Sequence, residues 1–371
     1  MALDLRGMGV YAMPKILVYP GTVASERFVP LSISLSGSVF GNGSASVSAL
    51  DLGVGFSRAG AVVTPGNNRD PSGNYYGGRW TIDIGSTYKY QFLLTNADCS
   101  RLHGGRKVDL TFDDLKNTWA ILKTNEIYSQ YTTYAALVNA LIAEVTGISG
   151  NDMAQCPDTI SLATPLSNFC TEGIYKIDNS TFLNEIMKLL EMGGYCLFSE
   201  PNSGALRIIS ITPTLSASFA SHTIDANSAP VGLMVKDAKF SLNYLGIPTS
   251  VIVTDGNSPK TFTYGRYVGT GSEIENANYD ISKRNQPSYA VVYGNTDEQM
   301  QATAKNIYKF GAKGARVLSV TMAGIPFSPI LWTTLVWTDA QGNTGSWLVT
   351  DFSIDIQPGS LHTTLTALAP S

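Results

Sequence analysis

The chain has 371 residues, of which 44% are hydrophobic and 15% charged, with 35 glycines and a formal net charge of −4. That apolar content excludes a disordered chain and suffices for packed cores in two or three domains. A charged fraction below the usual ~25%, with a small acidic excess, excludes nucleic-acid binding through bulk positive charge and a basic membrane-surface role.

The first twenty residues carry Asp4, Arg6, Pro14 and Lys15 without an unbroken apolar stretch, which predicts no signal peptide. From Phe28 to Leu50 there is no charge, but Leu31, Ile33 and Leu35 alternate with Ser32, Ser34 and Ser36. That is a strand, turned at Gly41-Asn42-Gly43 into a second one through Ala45, Val47 and Ala49, and not a membrane span. Pro65-Gly66-Asn67-Asn68 and Asp70-Pro71-Ser72-Gly73-Asn74 are turn clusters. Arg79 to Ile84 alternates as a half-buried strand, Tyr88 to Leu94 makes another, and Phe112 to Leu122 opens as a short helix.

In the middle third, Thr132 or Thr133 caps a helix whose Tyr134, Leu137, Val138, Leu141, Ile142 and Val145 fall on one stripe, with Gly147 as the stop. A second helix starts at Ser180 or Thr181, aligns Phe182, Ile186, Leu189 and Leu190, and ends at Gly193-Gly194. Tyr195 to Phe198 is then a strand, Glu200-Pro201-Asn202-Ser203-Gly204 a hairpin turn, and Leu206 to Ile211 the return strand. Together these make a compact α/β unit.

The last third follows a polar run from Ser216 to Ala229. Val251 to Val253 and Thr261 to Tyr264 form a hairpin around Asp255-Gly256-Asn257. Thr296 with Gln299 fits a capping box for a helix carrying Met300, Ala304, Ile307 and Gly311 on one face. The uncharged run Val317 to Thr338 is broken by Pro326 and Pro329, so it reads as two strands rather than a membrane helix. Leu318, Val320 and Met322 alternate, then Leu331 to Trp337, Trp347 to Ile356 and Leu361 to Ala367 follow with turns between them. This end is expected to be an antiparallel meander packed with one helix, a small barrel or sandwich. The fold class is therefore α+β and β-rich, with two small antiparallel β-barrel-like domains, an intervening α/β unit and a few packed helices. The expected domains are 1–130, 131–230 and 231–371.

Motifs with chemistry are near misses. Gly55-Phe56-Ser57-Arg58-Ala59 lacks the last glycine of a nucleophile elbow. Ser86-Thr87-Tyr88-Lys89 has S-x-x-K spacing in strand-like sequence, where the two side chains would not share a helical face. Gly7-Met8-Gly9-Val10-Tyr11-Ala12 has no βαβ unit around it. The acidic pairs Asp113/Asp114, Glu273/Glu275 and Asp297/Glu298 have no third element that would favour catalysis over turn and helix-start roles. Cys99, Cys156, Cys170 and Cys196 lie 57, 14 and 26 residues apart and read as free, mostly buried thiols. His103, His222 and His362 are scattered, so no metal or cofactor site and no catalytic residue is expected. Lys305, Lys309 and Lys313, with Arg316 beyond, form a stripe that is either a solvated helix face or a surface for an acidic partner.

The order of segments over residues 130–371 resembles the baseplate-hub, or tail-hub and late-control, proteins of tailed phages and related contractile injection systems. The first carrying segment is Ser180-Thr181-Phe182-Leu183-Asn184-Glu185-Ile186 through Gly193-Gly194-Tyr195-Cys196-Leu197-Phe198 to Gly204-Ala205-Leu206-Arg207-Ile208. The second is Pro248-Thr249-Ser250-Val251-Ile252-Val253-Thr254. The third is the helix 296–312 with the strand 317–322, continuing through Gly324-Ile325-Pro326, Trp337-Thr338-Asp339, Ser346 to Thr350 and Thr363-Thr364-Leu365-Thr366. The resemblance implies a non-enzymatic homotrimer at the distal end of a virion tail, made in the bacterial host cytoplasm. Its ring would adapt a sixfold tail tube to a threefold central spike around the ejection channel. Implied partners are the chain itself, the tail tube or distal tail protein, the central spike and the tape-measure protein, with no sequence-specific nucleic-acid binding and no membrane span. The competing readings are a tail-associated cell-wall hydrolase and a carbohydrate-binding receptor protein, the latter suggested by five Trp and 18 Tyr.

Overall fold

The computed structural model describes residues 14–20, 28–51, 79–102, 105–120, 123–148, 153–168, 170, 173–210, 219–228, 234–242, 248, 250–256, 259–265, 288–292, 297–314, 316–325, 327 and 329–369. The 65–68 and 70–74 turn clusters, Gly55 to Ala59, Gly7 to Ala12, His103, Glu273, Glu275 and Thr296 lie outside the described residues.

The N-terminal strands are β1 (Ile16–Pro20), β2 (Phe28–Ser38), β3 (Ser44–Asp51), β4 (Arg79–Ile84), β5 (Tyr88–Leu102) and β6 (Gly105–Asp113). They pair in the order β1-β4-β5-β6-β3-β2, all antiparallel. The alternation that predicts β2 and β3 places Ile33, Leu35, Ala45, Val47 and Ala49 in the core. Phe112 to Leu122, expected to open as a helix, instead continues β6 to Asp113 and then makes a 3-10 turn over Leu115–Ala120.

The middle third holds α1 (Tyr134–Gly147) and α2 (Phe182–Met192) with the short strands β7 (Lys123–Thr124), β8 (Ile127–Tyr128), β9 (Tyr175–Lys176) and β10 (Ser180–Thr181). The hairpin of β11 (Tyr195–Glu200) and β12 (Ala205–Ser210) follows. Thr133 Oγ1 accepts from the Ala136 N–H and Thr181 Oγ1 from the Asn184 N–H, so each helix is capped by its own threonine. The predicted stripe of α1 is buried against α2, and each such side chain stabilises the unit by ~1.5–3 kcal/mol. Gly193 closes α2 beside the Tyr134 ring, where any Cβ would collide with the phenol; the Tyr134 hydroxyl donates to the Leu189 carbonyl.

The last third contains β13 (Phe219–Asp225), β14 (Val235–Leu242), β15 (Ser250–Asp255), β16 (Thr261–Gly265), β17 (Ser288–Val292), α3 (Asp297–Gly314), β18 (Arg316–Ala323), β19 (Thr333–Thr338), β20 (Thr344–Gln357) and β21 (Ser360–Leu368). Two strands stand where the sequence reads as a polar run or an unassigned stretch: β13 pairs parallel with β19, and β14 antiparallel with β18. The closing strands β18 to β21 pair antiparallel among themselves, as the meander requires, and β13 is added to them in parallel. The helix does not cover the meander. Met300, Ala304 and Tyr308 of α3 pack with Val251, Val253 and Tyr264 of the β16-β15-β17 sheet, because those residues supply the matching apolar face. Ile307 packs against this cluster partly buried, and Tyr308, which the sequence reading leaves off that face, is buried within it.

β2 pairs with β20, so strands from the two ends of the chain form one twelve-stranded, largely antiparallel sheet in the order β1-β4-β5-β6-β3-β2-β20-β21-β18-β14, with β19 and β13 beside β20. One apolar core runs beneath both sets of strands, from Val18 and Trp80 to Ile354 and Leu365. The molecule is a β-rich α+β protein.

Candidate assembly surface

The period-2 pattern of a strand sends alternate side chains to opposite faces, and strand register then decides which residues become neighbours. On one face of the main sheet are Ile33, Leu35, Val47, Leu110, Phe112 and Ile354, all buried. On the other, register sets Asn96, Thr111, Ser46, Ser34, Asp355 and His362 side by side across β5, β6, β3, β2, β20 and β21. A second row runs Asp113, Ser44, Ser36, Ser353, Thr364, Thr321 and Asp237, from β6 to β14.

The rows are tied together by short polar contacts. Ser34 Oγ donates to Asp355 Oδ1 at 2.6 Å and Ser38 Oγ to Asp351 Oδ1 at 2.5 Å, both across the β2–β20 seam. Ser36 and Ser44 hydroxyls lie 3.3 Å apart, and those of Thr321 and Thr364 3.1 Å apart. Asp98 and Asp109 oppose each other directly on β5 and β6. Lys107 Nζ sits 2.9 Å from Asp109, and Asn96 donates to Asp98 at 2.8 Å, which relieves that like-charge pair. The hydrogen bond from Lys107, helped by one from Ser48, holds the Asp109 carboxyl below the usual range. The surface is thus small, hydroxylated and weakly acidic. Its margin is β14, paired on one side by β18 and exposed from Lys236 to Phe240, with Phe240 58% exposed and edge-on to Trp347 at 5.8 Å.

The residues singled out by chemistry are dispersed. Ser86 sits in the β4–β5 turn with φ of 58°, while Lys89 points to Asp83 at 3.9 Å. Asp113 belongs to the hydroxylated face, but its neighbour Asp114 is buried and takes hydrogen bonds from the Gly43 N–H, the Lys116 N–H and the Ser199 hydroxyl. Asp297 forms an exposed ion pair with Lys260 at 3.2 Å. Lys305 is half-buried on α3; the side chains of Lys309 and Lys313 lie outside those described. Ser360 Oγ meets His362 Nε2 at 2.7 Å, but His362 Nδ1 has no hydrogen-bond partner and Asp355 opposite is held by Ser34. No third group orients that imidazole as a catalytic triad requires. His222 stacks on Phe327 at 4.2 Å, and burial lowers its pKa. Cys156, Cys170 and Cys196 are free, and burial pushes the Cys156 and Cys196 thiols up to about 11. Among the described residues no group of three or more His, Cys, Asp or Glu stands together as a metal site, and no helix is long and apolar enough to cross a membrane.

No family model matches this chain, and no curated protein matches it in sequence. Solved structures do. The tail protein from Neisseria meningitidis MC58 has a TM-score of 0.62 at 12% identity, over 96% of this chain and 97% of that one. The 43 kDa tail protein of prophage MuSo2 from Shewanella oneidensis gives 0.60 at 12% identity, over 96% and 98%. The fold is that of a phage tail protein. The tail-protein fold is also that of the E. coli c3393 protein, a component of the type VI secretion system described as structurally similar to the T4 bacteriophage tail proteins gp27 and gp5 (TM-score 0.54, 9% identity, 96% and 77% covered). The likeness to baseplate hubs read from residues 130–371 extends, as a fold, over nearly all of the chain.

Proposed function

We propose that the chain is the structural hub of a phage tail tip or baseplate, a homotrimeric ring that adapts a sixfold tail tube to a threefold spike. The observation that carries this reading is the hydroxyl and carboxylate face shared by strands from both ends of the chain. Turned toward a central channel, such a face, on which Lys107 is engaged by Asp109, offers a passing polyanion no cationic clamp among the described residues, so genome or tape-measure protein is not trapped. The sheet also divides at the β2–β20 seam into six strands from β1 to β6 and six among β13, β14 and β18 to β21. Three chains with two barrel-like halves each supply six ring positions, which suits a sixfold tube above a threefold spike. In this reading the units are 1–130, 131–230 and 231–371. The exposed edge of β14 is a ready site for backbone pairing with the next copy, as unpaired strand edges are.

The role is mechanical rather than catalytic. Partners are further copies of the chain, the tube or distal tail protein, the central spike and the tape-measure protein, in the distal tail of a virion assembled in a bacterial cytoplasm. Light scattering after size exclusion should give a particle of about 119 kDa for three 39.7 kDa chains, alone or with the spike partner. A monomer under both conditions overturns the ring. Density for the chain in the capsid or along the whole tube in particle micrographs overturns the location. Lysis of purified murein, or selective binding on a glycan array, would favour the hydrolase or the receptor instead.

A further inference from the structure

Glu200, the last residue of β11, is 4% exposed, and neither Oε1 nor Oε2 has a hydrogen-bond partner. An isolated carboxylate is costly to bury, so such a group holds its proton instead. Burial pushes its pKa up to about 8, against the weaker opposing pull of the Leu331 backbone N–H, which faces the carboxyl without the geometry of a hydrogen bond, and of the Arg207 charge.

The hairpin that Glu200 opens is also where separate parts of the chain are pinned. The Gln91 N–H on β5 donates to the Pro201 carbonyl at 2.9 Å, and Arg79 on β4 donates to the Gly204 carbonyl. Asn202 Nδ2 donates to the Pro329 carbonyl, in the segment leading to β19, at 2.5 Å. Gly204 has φ of 66°, a conformation that favours glycine, and lies against the side-chain amide of Gln91. The charged groups on the elements packed around the hairpin each hold another acceptor or partner. Arg79 also donates to Gln91 Oε1 at 2.8 Å, Arg207 is joined to Asp158 at 2.8 Å, and Asp114 with Lys116 lies beneath Ser199. Tyr88, on β5, donates to the Ile325 carbonyl.

We propose that Glu200 is a proton-operated catch: while the carboxyl is neutral the 200–204 hairpin stays seated between the N-terminal strands and the approach to β19, and ionisation releases it. The proton leaves to solvent, and no other reactant is involved. The inference stands on the hairpin's own contacts and does not depend on the trimeric ring.

Linkage fixes the form of the test. In the released state the carboxyl titrates at its usual 4.5, whereas in the seated state it keeps its proton to about 8. Release therefore becomes about tenfold easier per pH unit across that window, on the order of a thousandfold in all, and levels off above it. Hydrogen exchange of the full chain, corrected for the intrinsic rate, reads this at the Gln91 amide, with Leu141 inside α1 reporting opening of the whole core. The expected result is a protection at Gln91 that falls with that slope and stays below that of Leu141 at every pH, and a Glu200→Gln variant in which Gln91 shows no slope. A flat wild-type profile at Gln91 overturns the catch, as does the same slope in Glu200→Gln or equal protection at Gln91 and Leu141, which would mean that the hairpin leaves only when the core unfolds. If Glu200→Gln does not fold, Glu200→Met is measured in its place, with the same outcomes deciding.

Discussion

The seam between the two sets of strands rests on a glycine. Gly37 on β2 directly opposes Phe352 on β20, and the Phe352 ring, 3% exposed and 6.0 Å from the Tyr90 ring, lies over it. A Cβ at Gly37 would stand 2.5 Å from Phe352 Cε1 and 3.0 Å from Cζ, so Gly37→Ala obliges a packed aromatic ring to shift by roughly 1 Å in a core dense enough to resist it. Overpacking of this kind costs ~1–3 kcal/mol. Replacing a strand glycine returns ~0.5–1 kcal/mol through the unfolded chain, leaving a net loss of about 1–2 kcal/mol. Urea denaturation of Gly37→Ala, Phe352→Leu and the double variant checks the mechanism. In the Phe352→Leu background the alanine should be close to neutral, giving a coupling energy of about 1 kcal/mol or more. Additivity of the two changes within ~0.3–0.5 kcal/mol would refute the claim that the ring is what requires glycine.

Removing the buried carboxylate with Asp114→Ala strands Lys116, 5% exposed, without its charge partner and takes the acceptor from the Gly43 N–H and the Ser199 hydroxyl, so urea melts should show a loss of ~3–5 kcal/mol. Between its usual 4.5 and about 8, Glu200 keeps a proton that the unfolded chain has released, so the stability contributed by this group is fullest below pH 4.5 and falls as pH rises toward 8. The loss from that group is at most roughly 5 kcal/mol, and chemical denaturation of Glu200→Gln should show the variant gaining on wild type across the same window. Melting should be unchanged by chelator or reductant, since no metal-ligand group stands together among the described residues and Cys156, Cys170 and Cys196 are free thiols; a shift of several degrees would contradict this.

What could be read from sequence follows from where each element's information lies. The serine alternation of 28–50 and the apolar stripe of 134–145 are local, and both elements form where those periods place them. β14 was invisible for the opposite reason: an edge strand exposed from Lys236 to Phe240 has no buried face to impose alternation. β13, inside a polar run, is recruited by parallel pairing to β19 more than a hundred residues later. The stripe of α3 announces that one face is buried but not that Val251 and Val253, rather than the closing strands, will bury it. The candidate surface is harder still. Ser34 reads as the outward residue of a strand, yet its place in a polar row depends on register with Asp355, 321 residues away. Glu200 looks like any turn-flanking acid, and only the packing of three separate segments leaves its carboxyl without a partner.

The β2–β20 pairing also sets the order of events during synthesis. At ~5–20 residues per second, the 321 residues between Ser34 and Asp355 take roughly 15–60 s to emerge. For that interval one edge of β2 is complete except for its neighbour, a template open to any strand nearby. A sheet closed by contacts this distant in sequence also folds slowly once the whole chain is present. The serines at 32, 34, 36 and 38 then serve a second purpose, because a waiting edge with hydroxyls on alternate positions is a poorer seed for aggregation than one apolar on both faces. Replacing Ser34 and Ser36 by valine would leave the finished sheet's register intact while making the nascent chain far more hazardous to its neighbours.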